Sequence, residues 1–493
     1  MPRPIRRLAL AAAGALAASL ALGGCSATIG TVEVGPPDVG VQLFQLPWTT
    51  VAQECEQNLG PAGFAWVLVS PAQESVTGDE WWTSYQPVSY RVESRLGTRA
   101  EFADMTARCR EAGVAVIADA VVNHMTGQDA AGTGWAGSAY DHYSYPGLYA
   151  PEDFHHCGLT PNDDIADYGS REQVQTCELV NLADLDTSSP AVRERIGAYL
   201  DDLLSLGVAG VRIDAAKHIA AADVAAIVGG LPAGTRILSE VIRGGGEPVQ
   251  PEEYTSFGEV FEFTYARDLA PQLRAGVLTD PDLSGERPLH VPSDRAVVFV
   301  DNHDTERGEA GVTYRDGDLY AMANALMLAD DFGTPVVYSG YAFTDRDAGA
   351  PVDADGRVVA PVCAAGDAEV SALADGDRTC VHAWTAIRGM LEWRRVAASA
   401  PRLPGVDDGD AYGFEREGRA VVAVNPGADE ERLAVPTTLP DGRYCDVVRA
   451  GPVVADTAPG CADDETVEVA GGSASFALAP GQTSAIHSLA RLP

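Results

Sequence analysis

The sequence predicts a (β/α)₈ (TIM) barrel, with a small domain inserted after the third strand and an all-β sandwich domain at the C-terminal end. Three observations carry this prediction. Eight short β-rich runs alternate with helical patterns from residue 41 to about residue 400. One connection, 123–185, is far longer than the others and has no long periodic segment. From about residue 399 the pattern changes to short strands separated by turns.

The strand candidates are Val41–Leu46, Ala65–Val69, Val114–Ala118, Gly210–Asp214, Arg236–Glu240, Val260–Thr264, Ala296–Val300 and Pro335–Ser339. Eight strands joined through helices argue a closed parallel barrel. The segment Ser188–Leu206 shows the helical pattern. Ser188 or Ser189 can cap it, and Pro190 suits its first turn. Val192, Ile196, Tyr199, Leu200, Leu203 and Leu204 recur at helical spacing before Gly207 stops the run. The barrel thus occupies 38–122 and 186–398. The insert, 123–185, is rich in Gly, Tyr, Asp and Asn, and a connection of this length in a compact domain is usually functional. Tyr412–Arg416, Ala420–Asn425 and Ser473–Leu478 read as strands of the final domain, 399–493.

Composition excludes partners more than it names one. The chain has 493 residues, 46% hydrophobic and 21% charged, with a formal net charge of −37. Such a polyanion repels nucleic acid and acidic membranes. Residues 1–25 are an export signal rather than fold: Arg3, Arg6 and Arg7 precede the apolar run Leu8 to Leu22, which is short for a spanning helix. The run ends in Leu22-Gly23-Gly24-Cys25-Ser26. This resembles a bacterial lipobox, which implies lipidation of Cys25 and an extracellular, lipid-anchored protein. The alternative is a plain signal peptide that happens to contain a cysteine.

Nine cysteines leave eight once Cys25 is set aside. In an oxidising compartment these make four disulfides. The sequence does not fix their connectivity; pairing of neighbours gives Cys55–Cys109, Cys157–Cys177, Cys363–Cys380 and Cys445–Cys461. No CxxC or CxxH cluster favours zinc.

Barrel enzymes carry their chemistry where strands end at the C-terminal face. Four strand ends here are polar. The third reads Asp119-Ala-Val-Val-Asn123-His124, the fourth Arg212-Ile-Asp214-Ala-Ala-Lys217-His218, the fifth Ser239-Glu240, and the seventh Asp301-Asn302-His303-Asp304. In a strand of period two, Arg212 and Asp214 share a face, so the guanidinium can hold Asp214 ionised and oriented.

These four segments resemble the signature regions of the α-amylase family, glycoside hydrolase family 13. The likeness extends through Trp81-Trp82-Thr83-Ser84-Tyr85-Gln86 and covers most of residues 41–400. The resemblance implies Asp214 as nucleophile, Glu240 as general acid and then base, and Asp304 as the group that grips sugar hydroxyls. A retaining glycosidase needs one ionised and one protonated carboxyl about 5–5.5 Å apart. His124 and His303 would bond the sugar, Tyr85 would stack beneath it, and Trp81 and Trp82 would supply aromatic platforms unless they are core aromatics. Arg212 belongs with these substrate-site residues, and Lys217 and His218 would line the leaving-group side. Lys217 is the only lysine among 34 basic residues, which reads either as a site needing a compact ammonium or as chance. His142, His155 and His156 lie outside the motifs and are read as structural.

The resemblance also implies a structural Ca²⁺ between insert and barrel, held by Asn123 and Asp184 side chains and by backbone carbonyls of His218 and Gln175. The alternative is that Asn123 and Asp184 cap turns. Animal members bind chloride through an Arg on the fourth strand, an Asn on the seventh and a basic residue on the eighth. Arg212 and Asn302 match the first two, but Pro335 is taken as the third and carries no charge; chloride is therefore not expected.

The reading is a monomeric endo-acting α-amylase cleaving internal α-1,4 bonds of starch, glycogen and maltooligosaccharides with retention. Two alternatives stay open: an exo-acting or transglycosylating family member, and a non-catalytic cell-surface glucan-binding lipoprotein.

Overall fold

All eight β-rich runs form strands of one closed parallel barrel: β1 Gly40–Leu43, β2 Trp66–Val69, β3 Ala115–Ala120, β4 Gly210–Ile213, β5 Arg236–Ser239, β6 Glu259–Phe261, β7 Ala296–Phe299 and β8 Thr334–Ser339. The computed structural model describes residues 34–278, 287, 289–308, 311–367, 370–453 and 460–493. Cys25 and the rest of the leader lie outside them. Each strand pairs with its sequence neighbours, and β1 closes the ring on β8 with Gly40 opposite Val336.

One strand is shorter than its sequence suggests. The run Val260–Thr264 leaves the sheet after Phe261, because Glu262 caps a helix over Phe263–Ala275 by accepting the Thr264 N–H at 2.9 Å. Thr264 is therefore in a first helical turn, where a local side-chain-to-backbone bond outcompetes the ladder.

Trp66, Leu68, Ile117, Leu238, Phe261, Val297, Phe299 and Val336 fill the barrel interior. The fit is tight at its base. A Cβ on Gly40 would lie 2.2 Å from the Trp66 ring, so only glycine lets β1 pass the indole. The interior membership of Val336 also corrects an expectation. Alternation along β8 turns Val336 inward and Pro335 toward the surrounding helices. Val336 thus faces the barrel interior where Pro335 does not, and it too carries no charge.

The insert leaves β3 and returns beside it. His124 pairs with Asp184 and Phe154 with Leu185, so both ends of the excursion are clamped at the β3 terminus. Within it lie a small hairpin, Gly132–Thr133 with Ala139–Tyr140, and the helix Arg171–Thr176. The return runs into the helix Pro190–Ser205, whose buried face is Val192, Ile196, Tyr199, Leu200 and Leu203.

The C-terminal residues build two four-stranded antiparallel sheets. Their core includes Leu433, Val435, Tyr444, Phe476, Leu478 and Ile486, and the alternation in Thr466–Ala470 and Ser473–Leu478 is the mark of strands with one wet face. The last helix of the barrel, Thr385–Ala397, joins the sheets to it; Trp393 Nε1 donates to the Val421 carbonyl at 3.2 Å. Four disulfides link Cys55–Cys109, Cys157–Cys177, Cys363–Cys380 and Cys445–Cys461, the neighbour pairing. They indicate an oxidising, extracellular setting. Among the described residues no helix is long and apolar enough to cross a membrane.

Candidate active site

Three strand ends deliver carboxylates to one guanidinium. Arg212, on β4, is buried at the barrel mouth. Its Nη1 donates to Asp119 Oδ1 at 2.6 Å and to Asp214 Oδ1 at 2.8 Å, and its Nη2 lies 3.0 Å from Glu240 Oε1. The turn after β4 is shaped for this. Ala215 takes a left-handed conformation, φ 48°, which aims its N–H at Glu240 Oε2, 2.9 Å away. A non-glycine residue with this φ costs free energy that the surrounding contacts must offset, a common trait of functional turns.

The electrostatics follow from one buried cation facing three buried acids. Burial raises the pKa of Asp214, and Arg212 pulls it back down. Burial also raises Glu240, with Arg212 opposing and the Asp214 charge adding to the rise. Asp119, deepest of the three, is pushed up to about 7, mainly by burial. A single positive charge cannot neutralise three carboxylates, so the cluster favours keeping a proton. That is the condition a general acid requires.

Asp304 follows β7. Asn302 Oδ1 accepts the N–H groups of Asp304 and Thr305, at 3.0 and 2.8 Å, which fixes the turn that presents the carboxyl. The Asp304 side chain is 40% exposed at the cleft, and partial desolvation and then the charge of Glu240 raise its pKa above the ordinary carboxylate range. His303 beside it is stacked between Tyr85 and Phe44, with ring centroids 5.0 and 4.8 Å away. Trp81 packs edge-on against this column.

A cleft of about 540 Å³ opens above these groups. Trp81, Trp82, Tyr85, His124, Lys217, His218 and His303 line it together with Asp214, Glu240 and Asp304. Arg212 does not line it; its Nη1 and Nη2 face the carboxylates, so it acts on substrate through them. His124 donates from Nε2 to the Tyr85 carbonyl at 3.0 Å, fixing the backbone that carries the Tyr85 ring. The Tyr85 hydroxyl in turn donates to Asp119 Oδ2 at 3.0 Å.

Lys217 reaches Glu247, and its ammonium sits 5.2 Å from the centre of the Tyr168 ring. It thereby gathers the β4 turn, the loop after β5 and the insert on one side of the cleft. Tyr168, Val180 and Glu247 line the cleft but were not among the sequence candidates. Glu247 follows Gly244-Gly245-Gly246, a loop signal that could have marked it. Tyr168 and Val180 sit in the aperiodic insert, where no pattern announces them.

The expected calcium ligands converge as segments. Asn123 and Asp184 are both buried, and the Asn123 amide hydrogen-bonds the Asp184 carboxyl. His218 Nδ1 donates to the Val174 carbonyl at 2.9 Å, bringing the Gln175 backbone beside the β4 turn. The Gln175 side chain turns away to the Tyr254 hydroxyl, 3.4 Å distant. Burial pushes Asp184 up to about 7. A desolvated carboxyl of this kind suits a hard cation. His155, read as structural, bonds Asp184 at 2.7 Å and Asp186 at 3.2 Å. A second grouping, Glu54, Cys363 and His382, is no metal site, because the Cys363 sulfur is bonded to Cys380.

Comparison with known proteins agrees with this geometry. The family model described as "Alpha amylase, catalytic domain" matches residues 61–230. An α-amylase of Streptomyces violaceus is 43% identical over 454 residues, covering 92% of this chain and 76% of the relative. The crystal structure of α-amylase I from Eisenia fetida matches with a TM-score of 0.81 at 32% identity, covering 93% of this chain and 99% of that one. A mutant of that enzyme in complex with maltohexaose matches with a TM-score of 0.78 at 32% identity, over 92% and 99% of the two chains. The barrel and its carboxylate-lined cleft define a glycoside hydrolase. The chain belongs to the α-amylase family, glycoside hydrolase family 13.

Proposed function

We propose that this enzyme is a retaining, endo-acting α-amylase that hydrolyses internal α-1,4-glucosidic bonds of starch, glycogen and maltooligosaccharides. One observation carries the reading: Asp214 and Glu240 both meet the Arg212 guanidinium beneath a cleft lined by aromatic and acidic side chains. Carboxyls gathered on one guanidinium sit near each other, as a retaining mechanism requires. Asp214, bonded to Arg212, is the nucleophile that attacks the anomeric carbon. Glu240 first protonates the departing glycosidic oxygen and then takes a proton from the water that frees the sugar. Asp304 and His303 grip hydroxyls of the distorted ring. The maltohexaose complex of the Eisenia fetida mutant supports a substrate of several glucose units. Product analysis on soluble starch, with the anomer followed by NMR, tests the reading. The α-anomer should appear first, among oligosaccharides of mixed length. Initial β-anomer would overturn retention, and one product size from the outset would overturn endo action.

In the same reading Asn123 and Asp184, with the carbonyls of His218 and Gln175, hold a structural Ca²⁺. When bound, the ion supplies positive charge to a buried carboxyl and ties the insert to the barrel. Dialysis against EDTA should lower Tm, and added Ca²⁺ should restore it; at 100-fold excess over Kd a bound ligand contributes about 2.7 kcal/mol. An unchanged Tm would remove the ion from the proposal. Because Pro335 and Val336 offer no cation, activity should be the same in chloride and in acetate buffers of equal ionic strength. A steep chloride requirement would show that another residue supplies the charge. The proposal also includes a lipid anchor on Cys25, which the mass of the mature N-terminal peptide would reveal.

A further inference from the structure

We infer that Gln42, on β1, is a positioning residue that decides which nitrogen of His303 carries the proton. Its side chain is buried, and its Nε2 lies 3.0 Å from His303 Nδ1. A carboxamide nitrogen only donates, so Nδ1 accepts and the ring proton sits on Nε2. That nitrogen lies 3.3 Å from Asp304 Oδ2, at the cleft surface.

Three features make this bond decisive. The imidazole cannot turn away, because it lies nearly parallel to Tyr85 and Phe44, at interplanar angles of 11° and 20°. It stays neutral, because burial and the charges of Arg212 and Arg307 hold its pKa well below the ordinary value of 6.5. Its backbone is pinned as well, since Arg307 Nη1 donates to the His303 carbonyl at 2.8 Å. With ring plane, charge and backbone fixed, the tautomer is the remaining variable, and Gln42 sets it. The Nε2–H form presents a donor at the cleft surface beside the Asp304 carboxyl, where a sugar hydroxyl can accept its hydrogen bond. The other form would put a lone pair there instead and remove that donor from the cleft.

The inference rests on the proposed sugar-gripping role of His303 and Asp304, and its test separates the two. The ¹⁵N NMR spectrum of histidine-labelled free enzyme near neutral pH should show His303 protonated at Nε2 and bare at Nδ1. Gln42→Glu replaces the donor by an acceptor and should move the proton to Nδ1. Gln42→Met removes the bond but keeps the volume, and should leave a mixture. On maltooligosaccharides kcat/KM should fall on the order of 10- to 100-fold in Gln42→Glu, the loss typical when the outer partner of a metal-ligating histidine is removed, and by less in Gln42→Met. A side chain that merely filled space would not give this ranking with this spectral change. Wild-type protonation at Nδ1, or no change of tautomer in Gln42→Glu, would overturn the assignment. A switched tautomer with kcat/KM within twofold of wild type would overturn the positioning role. Neither result would touch retention or endo action, which the product analysis reads independently.

Discussion

Replacing Glu240 with Gln should lower the turnover of starch by at least about 10³-fold while leaving the fold intact. Proton transfer by a positioned side chain commonly contributes about 10²- to 10⁴-fold, and Glu240 is assigned both the donation and the later abstraction. Gln can keep the bond from the Ala215 N–H but has no proton to give. The stability effect has a definite sign. Glu240 has a raised pKa in the folded state, so the fold binds its proton more tightly than the unfolded chain does. Its contribution to stability is therefore lost as pH rises from the ordinary value of 4.5 through the folded value. Gln carries no such dependence. The Tm of Glu240→Gln relative to wild type should climb with pH across that window. A reducing-sugar assay with thermal unfolding at several pH values checks both points. Activity within tenfold of wild type would remove Glu240 from the acid/base role, and a Tm gap that narrows with rising pH would contradict the electrostatic account.

Periodicity made the barrel legible because parallel strands covered on both faces read as short apolar runs between helices. The strand-end carboxylates were legible because their chemistry is concentrated in four short segments. What stayed hidden depends on packing. Thr264 looks β-like, yet a bond from the Glu262 side chain places it in a helix. Val336 and Pro335 are adjacent, and only the register of β8 shows which one faces inward. The strand pattern pairs Arg212 with Asp214 alone, but Asp119 and Glu240 also reach it from strands on either side of β4. Tyr168 comes to the cleft through the path of an insert that no local pattern describes. In each case the missing information was which residues distant in the chain share a surface.

The guanidinium that links those strands is the place where one substitution should do most damage. Arg212→Gln leaves Asp119, Asp214 and Glu240 buried together without their cation. Removing one partner of a buried ion pair costs about 3–5 kcal/mol, and this partner serves three acids. The carboxyl pKa values, already raised by burial with Arg212 opposing, should rise further. Stability of the variant should then fall steadily as pH increases from the ordinary carboxylate range, 3.8 for Asp119, to beyond the value of about 7 that Asp119 has with Arg212 present. Below that window all three acids are protonated and need no cation, so the variant should come closest to wild type there. Catalysis runs the other way. Asp214 must be ionised to attack, and without Arg212 it holds its proton to higher pH, so the acid limb of the activity profile should move up. Arg212→Lys should recover part of the stability but less of the activity, because a point charge cannot present two nitrogens to Asp214 and Glu240 at once. Urea unfolding and kcat/KM measured over the same pH series test this. An Arg212→Gln enzyme that loses less than 1 kcal/mol at neutral pH, or keeps its acid limb in place, would show that the carboxyls are held by something else. Otherwise no pH can rescue the variant, since acid restores the fold that base destroys, and base restores the nucleophile that acid protonates.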